Sequence, residues 1–455
     1  MTDHFDLIVI GAGSAARDAA GKAAREFGAS VALIERTRWG GSCPNVACRP
    51  TKAYLVAAEL AYTVNELSDW MGVRCGPAAV DLPRVRAWKD SLRRTQESWQ
   101  EVLANAGYEL VPGEASFVDA RTVHVGDREL TAERILIASG SRTAVPRVPG
   151  IDAIEWIDHI SALELEQIPE SLLIVGAGPV GLEFAQIFAR FGSRVTIVNH
   201  GPQVAARADT EAANELQAAL VEEGIEIVLN AGVESFAREG ALTVATLPDG
   251  REVRVSHVLL ASGRVPNTDE LELENAGVER DRGYVVIDEH QRTNVGGIWA
   301  AGDVATGPQF TPAAQYQARI AVEDMFGAPS PRHADYAAMP TAIFTDPELG
   351  SIGLSEQEAR DAGHVVDVVK HPLTAVTRAQ FTRTNHGLYK IVFDRSTRRV
   401  LGVHVVARGA SDIVGALAPA LELGVTVDRL ALVHHVYPSI SEGLKAAAEQ
   451  ALTSA

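Results

Sequence analysis

The sequence predicts an α/β protein with two dinucleotide-binding domains of one kind, followed by an α+β C-terminal quarter. Three observations carry this. A Gly-rich turn joins an apolar strand to a helix in FDLIVIGAGSAARDAAGKAAREFGASVALIER, residues 5–36. The pattern returns in SLLIVGAGPVGLEFAQIFARFGSRVTIVNH, residues 171–200, with the two turns 165 positions apart. After PRHADY, residues 331–336, the texture changes and no further turn of this kind occurs.

Taken in order, residues 5–10 are a nearly continuous apolar run, as expected for a strand covered on both faces. Residues 14–27 have helical periodicity and VALIE, 31–35, is the second strand of a βαβ unit. Residues 53–105 read as amphipathic helix with three tryptophans. Residues 108–140 read as short strands ending in ERILIASGS, and 225–262 as strands running into SHVLLASGRVPN. YVVIDEHQRTNVGGIWAAGDV, near 284–303, closes that layer. Residues 341–410 are strand-rich, as in GLYKIVFD and VLGVHVVA, and 411–455 are mostly helical. The last quarter has no nucleotide motif, so dimerisation is its expected task. The expected boundaries are 1–145 and 265–335 for the first dinucleotide domain, 146–264 for the second, and 336–455 for the C-terminal domain.

Composition narrows the function. The 455 residues are 46% hydrophobic, enough for several domains with cores. The net charge of -18 opposes nucleic-acid or anionic-membrane partners. No apolar run reaches transmembrane length. MTDHFDLIVIGAG enters a strand directly, so no secretion signal is expected. Three cysteines are too few for a disulfide-stapled secreted scaffold, and a cytoplasmic location is expected.

In the first fingerprint, Gly11 permits a tight turn, Gly13 lets a pyrophosphate approach the helix, and Ala16 allows close helix–strand packing. Glu35 ends the second strand, where a carboxylate accepts bonds from a ribose diol. The second fingerprint is Gly176, Gly178 and Gly181. Its second strand ends in Asn199-His200, not in an acid. That removes one reason for NADH specificity, and His200, Arg207 and Arg194 are candidates to meet a 2′-phosphate. NADPH is favoured over NADH, with both open.

Two of the cysteines fall in WGGSCPNVACRPTK, residues 39–52. Spacing alone leaves Cys43 and Cys48 open as a structural pair, a metal site or a redox pair. A zinc site needs about four ligands, and no nearby Cys/His set completes one. No metal site is expected. Cys75 matches no motif and reads as a buried thiol.

These segments in this order, from GAGSAA through GGSCPNVACRPTK, IASGS, GAGPVGLEFA, SGRVPN and AAGDV to the terminal YPSISEG, resemble the class I pyridine nucleotide–disulfide oxidoreductases over essentially the whole chain. That family includes dihydrolipoyl dehydrogenase, glutathione reductase and mercuric reductase. The resemblance implies a glutathione reductase-like fold with two Rossmann-like domains and a homodimer formed through the C-terminal domain. It implies FAD in the first site and a nicotinamide cofactor in the second. Asp303, after Gly302, would contact the flavin ribityl chain, and Ser139-Gly140 would form part of the flavin wall. Gly41, Ser42 and Gly263 would be further cofactor-binding positions. Cys43 and Cys48 would be the redox disulfide, with Cys48 against the flavin as the charge-transfer partner and Cys43 as the interchange thiol. Lys52, paired with Glu183, would stand beside flavin N5. Electrons would pass from NAD(P)H through FAD and the disulfide to a small-molecule acceptor.

The chain departs from the family pattern at its end. Disulfide-reducing relatives carry His-Pro followed by a Glu, a dyad lent by the partner subunit. Here VHHVYPSISEG places Tyr437 at the His position, keeps Glu442, and puts His435 two positions earlier. With ordinary pKa values of ~10 for Tyr and ~6.5 for His, Tyr437 is a poor general base at neutral pH. Efficient turnover of lipoamide or glutathione disulfide is therefore in question. Tyr437 and the EGLKAAAE run resemble mercuric reductases, yet no cysteine follows Cys75 to deliver Hg(II). Ala47 and Arg49 also depart from the usual motif, and Arg49 is a candidate to favour the Cys48 thiolate. His371, Thr377, Arg378 and Arg383 border the acceptor cleft in relatives. The acceptor is left open among disulfide, metal ion, quinone and small oxidant. The alternatives are a dihydrolipoyl dehydrogenase or glutathione reductase-type enzyme, and a transhydrogenase or quinone reductase that uses the flavin directly.

Overall fold

The computed structural model describes residues 2–453. The chain forms two compact units, Met1–Pro50 with Trp88–Ala144 and Arg264–Tyr336, and Thr51–Ala87 with Val145–Gly263 and Ala337–Ala455.

The first unit is built on a five-stranded parallel sheet. Strand Leu7–Ile10 lies between Ile135–Ile137 and Val31–Glu35, with Ile298–Ala300 and Glu109–Pro112 at the edges. Leu7, Ile8 and Val9 are fully buried, as a centre strand covered on both faces requires. Helix Ser14–Phe27 buries a small-residue face of Ala15, Ala16, Ala19, Ala20 and Ala23. The same apolar cluster holds Ala314, Ala318 and Ala321 of helix Thr311–Met325, so alanine on both sides lets the helices and the sheet close up. Gly28 ends the first helix in the left-handed conformation and returns its N–H to Ala24 O.

In the second unit, strand Ser171–Val175 is central to another five-stranded parallel sheet, flanked by His257–Leu260 and Arg194–Val198. Helix Pro179–Phe191 sinks Leu182, Phe184, Ile187 and Phe188 into the core, each worth about 1.5–3 kcal/mol of apolar burial. A five-stranded antiparallel sheet carries the C-terminal part, in the order Thr341–Ile343, Glu348–Gly353, Val400–Ala407, Leu388–Asp394, Val366–Pro372. Helix Ala410–Glu422 lies so close to it that a Cβ on Gly350 would sit 2.7 Å from Ala410 O. The Tyr389 hydroxyl donates to Ile440 O at 2.5 Å and so fixes the approach to helix Glu442–Thr453. Lys390, 2% exposed, is ringed by Asp209, Glu211 and Glu356 at 2.9, 2.8 and 3.0 Å. Asp209 also caps helix Thr210–Glu222.

The continuous helical reading of 53–105 is corrected. The structure has helices Cys48–Tyr62, Leu82–Ser91 and Gln96–Asn105, with a π-turn at Thr63–Leu67 and irregular backbone from Val73. Gly72 at φ +77° and the following Gly76-Pro77 end the helical run. This also corrects the reading of Cys75 as buried. It sits in the irregular stretch, exposed, with Sγ 3.2 Å from Ser68 Oγ.

Candidate active site

In the first unit, two backbones meet without side chains between them. Gly11 has φ +114°, and a Cβ there would lie 2.3 Å from Ala138 O. A Cβ on Gly41 would lie 2.4 Å from Gly13 Cα. Gly13 is the N-cap of helix Ser14–Phe27, which has no side-chain cap and no acid in its first turn. Its leading N–H groups are thus placed for an anion. The Glu35 carboxylate latches the turn. Oε2 accepts Ala12 N–H at 3.0 Å, and Oε1 accepts the N–H groups of Thr37 and Arg38 at 2.8 and 3.0 Å. Ser139 Oγ donates to Asn267 O at 2.7 Å, and Asn267 Nδ2 donates back to Ser139 O at 2.9 Å. Gly140 O accepts Asn267 N–H. Asp303 accepts Ser141 Oγ at 2.8 Å and stands 3.4 Å from the Arg264 guanidinium, while Gly302 N–H donates to Gln317 Oε1.

Among the described residues, two buried donors in this unit, Arg17 Nε and Trp99 Nε1, have no hydrogen-bond partner, and the Arg17 guanidinium lies 4.8 Å from the Trp99 ring. A glycine cradle, an uncapped helix start and orphaned donors fit a large acceptor-rich group such as FAD. Neither Arg17 nor Trp99 carries a pattern that sequence reading recognises.

The cysteine stretch folds as a short helix, Ser42–Asn45, and then the long helix Cys48–Tyr62. Ser42 is exposed and Pro44 is buried in the short helix. Asn45, 3% exposed, ties the turn together by donating to Trp39 O at 2.9 Å and Gly41 O at 2.7 Å. Cys48 is the first residue of its helix, where the peptide dipoles favour a thiolate. Its Sγ is 3.7 Å from Thr311 Oγ1, a contact between distant positions that the motif does not announce. The Arg49 guanidinium donates to Leu92 O at 2.7 Å.

In the second unit the glycine turn repeats. Gly176 has φ +111° and a Cβ there would lie 2.5 Å from Ala261 O, while one on Gly181 would lie 2.0 Å from Gly176 O. Gly178 begins helix Pro179–Phe191 without a side-chain cap. Asn199 Oδ1 accepts Ala177 N–H at 3.3 Å, and its Nδ2 donates to Gly201 O and Gln203 O at 3.3 and 3.2 Å. His200 and Arg207 are exposed. Arg194 pairs with Glu170 at 3.1 Å. Gly263, at φ +134°, has open space where a Cβ would point. A glycine turn and uncapped helix start of the same kind as in the first unit fit a nicotinamide dinucleotide. Lys52 Nζ donates to both oxygens of Glu183 at 2.8 and 2.7 Å, with Glu183 buried in its helix.

At the C-terminal end Tyr437 is 71% exposed. Glu442 Oε2 accepts Ser439 N–H at 2.9 Å, and His435 Nδ1 is 3.0 Å from Ser441 Oγ. Burial, aided by the Lys445 charge, holds the His435 imidazole below its ordinary pKa. His371 faces Gln450, and the Arg383 guanidinium lies 5.9 Å from the Trp70 ring. Thr377 and Arg378 begin a short helix, Thr377–Gln380. Among the described residues no group of three or more His, Cys, Asp or Glu is placed to hold a metal ion, and no helix is long and apolar enough to cross a membrane.

Residues 5–318 match the family model for pyridine nucleotide-disulphide oxidoreductases, and 339–448 match the dimerisation domain of the same family. The chain belongs to that family. It is an FAD- and NAD(P)H-dependent disulfide oxidoreductase with a redox-active cysteine pair, and it forms a homodimer. Mercuric reductase of Streptomyces lividans is 39% identical, over 98% of this chain and 96% of that one. Dihydrolipoyl dehydrogenase of Geobacillus stearothermophilus is 35% identical, with the same shares covered. Among solved structures, the Cu(II) complex of the HOCl-induced flavoprotein disulfide reductase RclA from Escherichia coli superposes with TM-score 0.87 at 29% identity, covering 98% of this chain and 99% of that one. LpdA from Mycobacterium tuberculosis gives 0.88 at 28%, covering 99% of each.

Proposed function

We propose that this oxidoreductase delivers electrons from NADPH, through FAD and the Cys43–Cys48 pair, to a soft metal ion. Residues 1–145 and 265–335 form the FAD domain, 146–264 the NADPH domain and 336–455 the dimerisation domain. FAD, when bound, takes a hydride equivalent from NADPH and returns two electrons to the cysteine pair. Gly11, Gly13 and Gly41 make room for its pyrophosphate. Ala16 keeps the first helix close, and Glu35 holds the turn. Ser42, Ser139, Gly140, Gly302 and Asp303 complete the flavin site. Gly176, Gly178, Gly181 and Gly263 shape the nicotinamide site. Asn199 and His200 form its edge, where the absence of a carboxylate admits a 2′-phosphate. Lys52, oriented by Glu183, supplies positive charge toward the flavin. Cys48 is the flavin-facing thiol and Cys43 the thiol that meets the acceptor. The enzyme works in the cytoplasm.

The observation that carries the choice of acceptor is at the C-terminal end. Tyr437 stands at the position where a disulfide reductase needs a base, and Glu442 is already bonded to Ser439 N–H. A disulfide substrate must receive a proton on each departing thiol. A soft metal ion needs none. Two thiolates bind it, having lost their protons to solvent, and thiolate is the ligand such ions prefer. In the redox step the two sulfurs join as a disulfide. Their two electrons reduce one divalent ion to the metal, or two ions by one electron each. Mercuric reductases and the Cu(II) complex of RclA among its relatives support this reading.

The test is an acceptor screen on the purified holoenzyme with NADPH, comparing Hg(II) and Cu(II) against lipoamide, glutathione disulfide and a quinone. Metal-dependent NADPH oxidation that disappears in Cys43→Ser is the expected result. Lipoamide turnover as fast as dye reduction overturns it.

A further inference from the structure

We propose that Phe344 is a positioning residue for Lys52, and that it acts from two directions at once. Strand Thr341–Ile343 ends one residue earlier, so the Phe344 N–H has left the ladder. It donates instead to Glu183 Oε1 at 3.1 Å, the oxygen that also accepts from Lys52. The Phe344 ring then stands 4.3 Å from Lys52 Nζ, in cation–π range. The ammonium is thus held between a carboxylate and an aromatic face. A long, flexible lysine side chain would otherwise sample many rotamers, and holding it costs entropy that these contacts offset.

Phe344 is itself fixed by a ladder from the same helix that carries Glu183. One turn on, Gln186 brackets the Asp346 backbone, accepting its N–H at 2.8 Å and donating to its carbonyl at 2.7 Å. A further turn on, Arg190 reaches Asp346 O at 3.2 Å and pairs with Glu223 at 2.6 Å. The Cys48–Tyr62 helix grips the same segment, because Arg408 joins Asp346 to Glu59 and Arg190 stacks 4.2 Å from Tyr62. Residues 344–346 are therefore clamped between the helix bearing Lys52 and the helix bearing Glu183. The effect on the flavin rests on the proposed role of Lys52, but the effect on Lys52 does not.

The experiment uses the FAD-loaded dimer and has two readouts. The first is the initial rate at which Lys52 is acetylated by an N-hydroxysuccinimide ester, read by peptide mass spectrometry with Lys445 as internal reference. The second is the flavin midpoint potential. Phe344→Leu removes the ring and keeps the N–H, and Phe344→Tyr keeps both. Lys52 in Phe344→Leu should acetylate about two- to fivefold faster, the change an ordinary cation–π contact supports, with Phe344→Tyr within twofold of wild type. The potential of Phe344→Leu should move in the direction set by Lys52→Met, by a smaller amount. An unchanged Lys52 rate in Phe344→Leu overturns the proposal. A faster Lys52 rate with an unmoved potential upholds the positioning role and overturns the flavin role of Lys52 instead.

Discussion

The two glycine turns use one latch with different charge. In the first, Glu35 spends one oxygen on Ala12 N–H and the other on the backbone of Thr37 and Arg38. In the second, Asn199 holds Ala177 N–H with its one carbonyl oxygen and turns its amide to the carbonyls of Gly201 and Gln203. Glu35 ends the second strand of its βαβ unit, Asn199 directly follows the second strand of its own, and each fastens the turn after the first strand. The position is thus structural in both places, and on the proposed reading the charge the latch carries discriminates the cofactor. A carboxylate can gather several donors and still accept from a ribose. A carboxamide closes the same loop without repelling a phosphate.

The units also differ in how they handle buried charge, and the largest predicted effect lies there. Lys390→Met leaves Asp209 buried and takes the cation from Glu211 and Glu356, a loss of roughly 3–5 kcal/mol. It should appear as a lowered urea midpoint, while the FAD affinity of the first unit stays unchanged. The pH dependence has a definite sign. Burial alone would raise the Asp209 pKa, but the Lys390 hydrogen bond and the nearby His404 and Lys390 charges outweigh it and leave it lowered. Its contribution is present above the ordinary carboxylate pKa of about 3.9 and fades as pH falls below that value. Burial likewise opposes the Lys390 charge, and the hydrogen bonds it donates to Glu211 and Asp209 outweigh that. That contribution is complete below about pH 10.4 and fades only above it.

Glu35→Gln converts the first latch into a copy of the second. One oxygen cannot satisfy both sets of N–H groups, so about 1–3 kcal/mol is lost. FAD titration of the apoprotein should show binding weakened by about tenfold. The reverse change, Asn199→Asp, keeps the Ala177 bond and adds charge. It should raise KM for NADPH about tenfold relative to NADH, and an equal change for both cofactors would separate the latch from specificity.

Much of this was legible in the chain because the decisive residues answer to local rules. Gly11 and Gly176 are glycine because of positive φ and a carbonyl within 2.3 and 2.5 Å of where a Cβ would be, and that need leaves a fixed spacing. Both parallel sheets followed from apolar runs. Cys75 departs from the burial that cysteine favours, because Gly72 and Gly76-Pro77 leave it on irregular exposed backbone. The hold of Phe344 on Lys52, the Thr311 contact to Cys48 and the stacking of Arg17 on Trp99 join positions far apart in sequence. No period or motif connects them.

On the proposed route, electrons reach the acceptor through Cys48 and Cys43. Anaerobic titration of the holoenzyme with NADPH tests it most directly. A long-wavelength absorbance band should appear after two electrons, with the flavin not yet bleached, and should be lost in Cys48→Ser. Immediate bleaching of the flavin in the wild-type protein, indistinguishable from Cys48→Ser, would contradict it.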